Sequence, residues 1–232
     1  MEAQVNWDKL ENYRKQWQEG GKAVLTDFFS ESAALNLWEY YYKKPDHQYD
    51  LAIYPAIEKL NQPDTYPVYR CKPGDDSIPR REKLARKFHT EGQFSYIYRR
   101  TEDFHPLLDV FSTSDFVQKL EYITGYTNLE FSWDATFVSN YSAGHFNGPH
   151  HDGINGRIAF VFHLSRNWKA WHGGLFIRLD KDYSQIDAVV APSFNKLVVF
   201  DVYGTEHGSP HLVTEIAQGC ANRRISFTGW YN

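Results

Sequence analysis

From Leu129 onward the chain is a succession of short β-type runs, and that succession limits the fold more than any other feature of the sequence. Leu129, Phe131, Trp133, Ala135 and Phe137 alternate with Glu130, Ser132, Asp134 and Thr136, the period-two pattern of a half-buried strand. Further runs follow over 150–152, 157–165, 175–179, 186–190, 197–202, 211–216 and 224–230, most of them separated by Gly, Pro or Asn. Strands of this length and spacing suit a sandwich or barrel. With the first run they make eight, the number of a double-sheet jelly roll.

The front half has another texture. Leu10, Tyr13 and Trp17 recur at helical spacing within 7–19, which stops at Gly20-Gly21. Ala23 to Leu25 predicts a first strand. Ser30 is placed to cap a helix over 31–42, with Ala34, Trp38 and Tyr41 on one face. A further helix over 114–123 carries Phe116, Leu120 and Ile123 and ends at Gly125, and Phe94, Tyr96 and Tyr98 alternate as a strand does. Residues 43–78, broken by Pro45, Pro55, Pro63, Pro67 and Pro73, predict a long surface excursion, a type of segment that often serves as a lid or faces substrate. The basic run Arg80 to His89 suits a solvated helix better than a phosphate patch, and Tyr40-Tyr41-Tyr42 suits packing better than a stacking platform. The expected architecture is one α+β domain over 1–232, with helical and loop support in 1–125 and a jelly-roll core in 126–232.

Composition narrows the partners. With 42% apolar residues and seven Trp, a sizeable core is within reach. A net charge of −4 gives no global basic field for a phosphate backbone, so no nucleic-acid partner is expected. Two cysteines, Cys71 and Cys220, without a pairing pattern predict a reducing compartment, the cytoplasm. The polar N-terminus lacks a signal-like apolar stretch, and no run approaches the roughly 18 apolar residues of a membrane span.

The chemistry concentrates in Tyr141 to Asp152. In an extended segment His150 and Asp152 project to the same side. An imidazole beside a carboxylate supplies two thirds of the 2-His-1-carboxylate triad, which holds non-haem Fe(II) and leaves positions open. Among ten histidines a chance His-x-Asp is common, and Asn147-Gly148-Pro149 and Asp152-Gly153 are also turn chemistry. What favours a metal site is position, between a strand and a buried apolar strand. Of the competitors, His145 is unplaced and His151 points away from its neighbours. His163 lies in an apolar run as a hydrogen-bonded core histidine, and His172 precedes Gly173-Gly174 in a loop. The third ligand lies between His207, in a Gly-flanked loop, and His211, which opens a β run and is favoured. In the last run Arg224, Ser226, Thr228 and Trp230 alternate with Ile225, Phe227 and Gly229. An inward-facing guanidinium needs an anion and matches a carboxylate bidentately. Alone, Arg224 reads as a rim residue beside Arg223; with an iron-type cluster upstream, a carboxylate-bearing co-substrate explains it better.

Ordered pieces of the second half carry a family resemblance: Tyr141…Gly144…His150-x-Asp152, Arg157-Ile158-Ala159 leading to Trp168…Gly173-Gly174-Leu175, Pro192-x-x-Asn195-x-Leu197-x-x-Phe200, Ser209-x-His211-x-Val213 and Arg224-x-Ser226-x-x-Gly229-Trp230. Over about residues 126–232 the chain resembles the 2-oxoglutarate- and Fe(II)-dependent dioxygenases, in their prolyl-4-hydroxylase-like branch. The resemblance implies a double-stranded β-helix with Fe(II) held by His150, Asp152 and His211. It implies Arg224 on the distal carboxylate of 2-oxoglutarate, aided by the Tyr141 hydroxyl and Ser226. The step from His211 to Arg224 is slightly longer than the family's, which leaves Arg223 as an alternative that the Arg224-x-Ser226 pattern disfavours. The implied reaction consumes O2, couples decarboxylation of 2-oxoglutarate to succinate with substrate oxidation, and ends in hydroxylation. Halogenation is not expected, because related halogenases carry a small residue where Asp152 stands. The substrate is expected to be a small molecule of free-amino-acid type, or else a prolyl residue in a protein. A non-catalytic cupin-like metal-binding module and a zinc hydrolase are the readings from other classes, and the hydrolase leaves Arg224 without a task. Tyr96, Tyr98 and Trp133 are candidates for the pocket wall, although core packing is the commoner use of such residues.

Overall fold

A computed structural model describes residues 5–54, 70–72, 74–152, 155–202 and 210–232. In chain order its elements are α1 (Leu10–Gly20), β1 (Lys22–Thr26), α2 (Glu31–Lys43), β2 (Asp50–Tyr54), β3 (Arg70–Cys71), α3 (Ile78–Thr90), β4 (Tyr96–Thr101), α4 (Ser114–Thr124), β5 (Phe137–Tyr141), β6 (Phe146–His150), β7 (Ile158–His163), β8 (Phe176–Leu179), β9 (Ile186–Val190), β10 (Lys196–Asp201), β11 (His211–Val213) and β12 (Arg224–Tyr231). The helices end where local chemistry stops them. Gly21, at φ 60°, returns its N–H to Trp17, and Gly125, at φ 76°, returns its own to Glu121. Ser30 Oγ accepts from Ala33 N and Thr113 Oγ1 from Phe116 N, capping α2 and α4.

The strands form one antiparallel sheet in the order β1-β10-β7-β12-β5-β4-β6-β11-β8-β9, with β2 and β3 added beside β4. It curls, because Phe176 on β8 meets Phe200 on β10 at 4.9 Å although neither strand pairs the other. The same closure is made by Arg178 of β8, which donates from Nη1 to the Gly21 carbonyl (3.1 Å), just before β1. The result is the expected jelly-roll type of core, a curled antiparallel sheet with helices on one side. Alternation along the strands separates two interiors. On β7, Ile158, Phe160 and Phe162 face the helices, while Ala159 and Val161 face into the curl. The helix side is an aromatic cluster. Phe28 touches Trp7, Phe111, Phe116 and Phe162, and Phe111 stacks on Phe160 at 4.6 Å and 6°.

Several local expectations change. The strand expected over 129–137 begins only at Phe137. Before it the chain turns, with Thr136 N donating to Trp133 O and Thr136 Oγ1 to Ser132 O, and Phe131 makes only an isolated bridge to Tyr231. The alternation there came from side chains packing on the aromatic cluster, Phe131 and Trp133 among them, rather than from a sheet ladder. The buried face of α2 is Ala33, Ala34, Leu37 and Tyr41, with Trp38 displaced to stack on Tyr42 at 4.8 Å. In α3 Arg81 is buried and donates from Nε to Ser77 Oγ, so the basic run is not wholly solvated. Within 43–78 the chain forms a 3-10 turn at Asp46–Gln48 and strands β2 and β3; residues 55–69 and 73 of that stretch lie outside the described ones. The front half therefore contributes strands to the sheet as well as helices against it.

Candidate active site

The cavity enclosed by the curl has a volume of about 510 Å³. Its floor is built by register. Arg224 stands opposite Tyr141 and Ser226 opposite Ser139 across β12 and β5, and Tyr96, Tyr98 and Arg100 follow on the inward face of β4. The facing wall is β6, β11 and β8, with His150, His211, Val213 and Phe176.

His150 closes β6 opposite His211 on β11, and Asp152 follows two residues later. The Asp152 carboxylate reaches both rings, with Oδ1 3.3 Å from His150 Nε2 and Oδ2 3.3 Å from His211 Nε2. Ligand atoms of the three residues all lie within 4.8 Å of one another. Donors about 2.1 Å from one ion and at right angles stand about 3 Å apart, so the spacing suits a single cation. His150 Nδ1 donates to the Gly148 carbonyl at 2.8 Å, so Nε2 is the nitrogen that would offer its lone pair to a cation once its own proton leaves. Two imidazoles and a carboxylate are also the donor set that non-haem iron takes. Burial raises the Asp152 carboxyl, but the His211 charge and hydrogen bonds from both imidazoles outweigh it and hold the group well below the usual carboxylate range. Burial pushes both imidazoles down. His211 ends lowered, while the hydrogen bond and charge of Asp152 leave His150 raised.

Across the cavity Arg224 is 1% exposed. Its Nε donates to the Gly174 carbonyl (2.9 Å), its Nη1 to Ser226 Oγ (3.0 Å), and the guanidinium lies 4.8 Å from the centroid of the Tyr141 ring. No carboxylate among the described residues pairs with it. Burial pulls its pKa down to about 10, which still leaves it charged at neutral pH. Burial raises the Tyr141 phenol, with the nearby Arg224 charge opposing, so the hydroxyl stays protonated as a donor. Gly174 sits at φ 64°, and a Cβ there would fall 2.5 Å from Ile216 Cδ1 and 2.9 Å from Arg224 Cδ; glycine is what lets this turn press its carbonyl on the arginine. Arg223 points elsewhere, pairing with Asp46 at 3.1 Å and donating to the Lys44 carbonyl.

Five of the six residues singled out in the sequence thus line one cavity, and the sixth, Ser226, is hydrogen-bonded to Arg224. Of the competing histidines, His145 is buried with Nδ1 accepting from Ser142 N, and His172 accepts from Lys169 N. His151 is exposed at the cavity rim. His163 departs from expectation: it is fully buried, yet neither ring nitrogen has a hydrogen-bond partner. His207 lies outside the described residues. Tyr96 and Tyr98 do line the cavity, whereas Trp133 packs on Phe104 and Phe131 in the aromatic cluster. Arg100 escaped notice, although its place two residues beyond Tyr98 put it on the inward face by the same alternation.

Residues 136–232 match the family model of the 2OG-Fe(II) oxygenase superfamily. The matched stretch holds the His150, Asp152 and His211 cluster, whose donors could bind iron, together with eight of the strands of the curled sheet. The fold of the whole chain is similar to that of prolyl-4-hydroxylases and other 2OG-Fe(II) oxygenases. A prolyl-4-hydroxylase from Pseudomonas putida superposes with a TM-score of 0.59 at 16% identity, over 96% of this chain and 98% of that one. An oxidoreductase of the 2OG-Fe(II) oxygenase family from Burkholderia pseudomallei gives 0.60 at 15% identity, over 100% and 95%. A prolyl hydroxylase from Trichoplax adhaerens, solved with a peptide fragment of the hypoxia inducible factor oxygen degradation domain, gives 0.55 at 14%, over 98% and 93%. No curated protein matches the sequence. Among the described residues no helix is long and apolar enough to cross a membrane.

Proposed function

We propose that this chain is a 2OG-Fe(II) oxygenase that hydroxylates an unactivated C–H bond of a small molecule of the free-amino-acid type. In this reading His150, Asp152 and His211 hold Fe(II), and Arg224, with Tyr141 and Ser226, receives the distal carboxylate of 2-oxoglutarate. The observation that carries it is one cavity holding both a 2-His-1-carboxylate cluster and a buried guanidinium that no acidic side chain neutralises. Fe(II) bound there supplies, with 2-oxoglutarate and O2, the oxidising power that places one oxygen atom on the substrate and releases succinate and carbon dioxide.

The chain's own residues bind, orient and exclude water. The Gly148 carbonyl fixes the His150 tautomer, and Asp152 fills the position a halide would need, so the product is an alcohol. Gly174 and Ser226 occupy Nε and one N–H of Nη1, which leaves the rest of the Arg224 fork for a carboxylate. Val161, Phe176, Phe200 and Val213 line the space between with apolar surface, where an anion–guanidinium pair is screened less than in water.

The cavity volume supports a small substrate, being within the roughly 300–1,000 Å³ of small-molecule sites. A prolyl residue in a protein is the competing substrate, and the likeness in fold to prolyl hydroxylases favours it. The test supplies Fe(II), 2-oxoglutarate and either single amino acids or a proline-rich peptide, and follows succinate together with product mass. Turnover of an amino acid with one added oxygen atom is expected. Turnover of the peptide alone would overturn the substrate class, and a chlorinated product in chloride buffer would overturn the outcome assigned to Asp152.

A further inference from the structure

The cavity is lined by a second buried arginine that the co-substrate does not need. Arg100, on β4, is 5% exposed. Its Nη2 donates to Glu102 Oε1 at 2.8 Å, its guanidinium lies 4.1 Å from the centroid of the Phe137 ring, and its Nε–H is buried without an acceptor. Arg224 lies instead over Tyr141. Phe137 and Tyr141 share a face of β5 four residues apart, about 13 Å along the strand. The two guanidinium groups therefore sit toward opposite ends of that wall, with Ser139 between them. One dicarboxylate that spans from the His150–Asp152–His211 cluster to Arg224 leaves the Arg100 end for another ligand.

The charges at that end are distinctive. Arg70 also lines the cavity and shares the Glu102 carboxylate with Arg100. Apart from Asp152, the acid on the described lining is Asp134, which forms no ion pair among the described residues. Arg70, Arg100 and Lys72 thus stand against Asp50, Glu102 and Asp134, a balance near neutrality with an unpaired N–H on Arg100 and an exposed, unpaired carboxylate on Asp134. A neutral molecule with separated charges meets both; a simple anion or cation meets only one.

We propose that Arg100 is the substrate's anchor, taking the α-carboxylate of a free amino acid whose ammonium group faces Asp134. This rests on the reading of the chain as a small-molecule hydroxylase and specifies how that substrate is held. The α-carboxylate then stays fixed at one end, and the substrate's carbon side chain is the part left to approach the cluster.

The test compares each proteinogenic amino acid with its α-amide on the full chain, loaded with Fe(II) and 2-oxoglutarate. Succinate release above the substrate-free background is measured, and binding of the active acid is followed separately as a rise in Tm. Wild type, Arg100→Gln and Arg100→Lys are compared. An active acid is expected to outperform its amide roughly 10- to 100-fold in kcat/KM. That ratio should collapse toward one in Arg100→Gln, mainly through KM, and recover in part in Arg100→Lys. Because acid and amide are compared within one preparation, a loss of folded protein cancels. Should Arg100→Gln not fold, the wild-type ratio and the lysine variant still decide. An amide as good as its acid, or a ratio that Arg100→Gln leaves unchanged, overturns the anchor while amino-acid turnover stands. If no free amino acid stimulates at all, whatever a peptide does, the small-molecule reading falls and the anchor with it.

Discussion

The two faces of the sheet formed by β7 and β12 are made by the same alternation and do opposite things. On the convex face Phe160, Phe162, Ile225, Phe227 and Tyr231 pack against α1, α2 and α4 with rings meeting rings. On the concave face the same two strands present Val161, His163, Arg224, Ser226, Thr228 and Trp230. One face gains free energy by burying apolar area. The other buries an imidazole without a partner and a cation without an anion, arrangements that cost free energy, the second of them until an anionic ligand arrives. A single β-strand can therefore carry the stability of the domain on its odd positions and the chemistry on its even ones, and lesions on the two faces should be told apart by what they damage.

The sharpest separation comes from the cluster itself. Asp152→Ala removes the charge between His150 and His211, and anaerobic Fe(II) loading followed by metal analysis should find no iron retained, with succinate production abolished. Its convex counterpart is Phe160→Ala, which opens a cavity where four aromatic rings meet. Chemical denaturation should show a loss of about 3–5 kcal/mol, with the surviving folded fraction still binding metal. A Phe160→Ala protein that keeps its stability but loses iron would break the division between the faces.

Arg224→Met tests the cost of the concave face. Affinity for 2-oxoglutarate should fall roughly 10- to 100-fold, measured as KM. The ligand-free protein should be as stable as wild type or more so, because a desolvated, acid-free guanidinium is replaced by an apolar chain of similar reach. A large loss of stability instead would mean that Arg224 is a packing residue first.

His163 gives the face a pH signature. Burial, reinforced by the Arg224 and Lys196 charges, holds its pKa well below the ordinary value, so the folded chain keeps it neutral while the unfolded chain protonates it below about 6.5. The unfolded state then binds more protons, and stability is complete above that pH and declines as pH falls through it. Thermal unfolding from pH 7 to pH 5 should show that decline, and His163→Leu should make it shallower, leaving the share of His145, which burial also holds down.

How much of this was legible in the sequence also follows the two faces. The six strands β7 to β12 and the helix-side periodicities of α1 and α4 were legible from apolar spacing, which records burial directly, whereas β5 and β6 overlap the expected runs by a single residue each. The concave face was legible wherever a charged residue interrupted an alternation, as at Arg224 after His211. Arg100 carries the same signal, a charged residue two positions beyond Tyr98 on the inward face of its strand. The strand expected at 129–137 shows the opposite error. Its alternation was real, but a turn can also set alternate residues against an aromatic core, and only the hydrogen bonds from Thr136 distinguish the two. His163 sat in an apolar run where partners are normally found, and nothing in a sequence says whether a buried ring nitrogen has one.

The finest test concerns a single oxygen atom. Ser226 Oγ accepts from Arg224 Nη1 at 3.0 Å and lies 2.9 Å from Ser139 Oγ, so it sets the angle at which the guanidinium fork is presented without contributing charge. Its neighbour Phe227 points the other way into the aromatic cluster, so Ser226→Ala alters the concave face with almost no change in packed volume. One hydrogen bond to a charged group is lost, while Gly174 still holds Nε. The expected result is a loss of about 1 kcal/mol, roughly a fivefold rise in the KM for 2-oxoglutarate, with an unchanged Tm. An effect as large as that of Arg224→Met would mean that the serine hydroxyl itself meets the carboxylate, and an absent effect would mean that Gly174 and the Tyr141 ring alone are enough to aim the arginine.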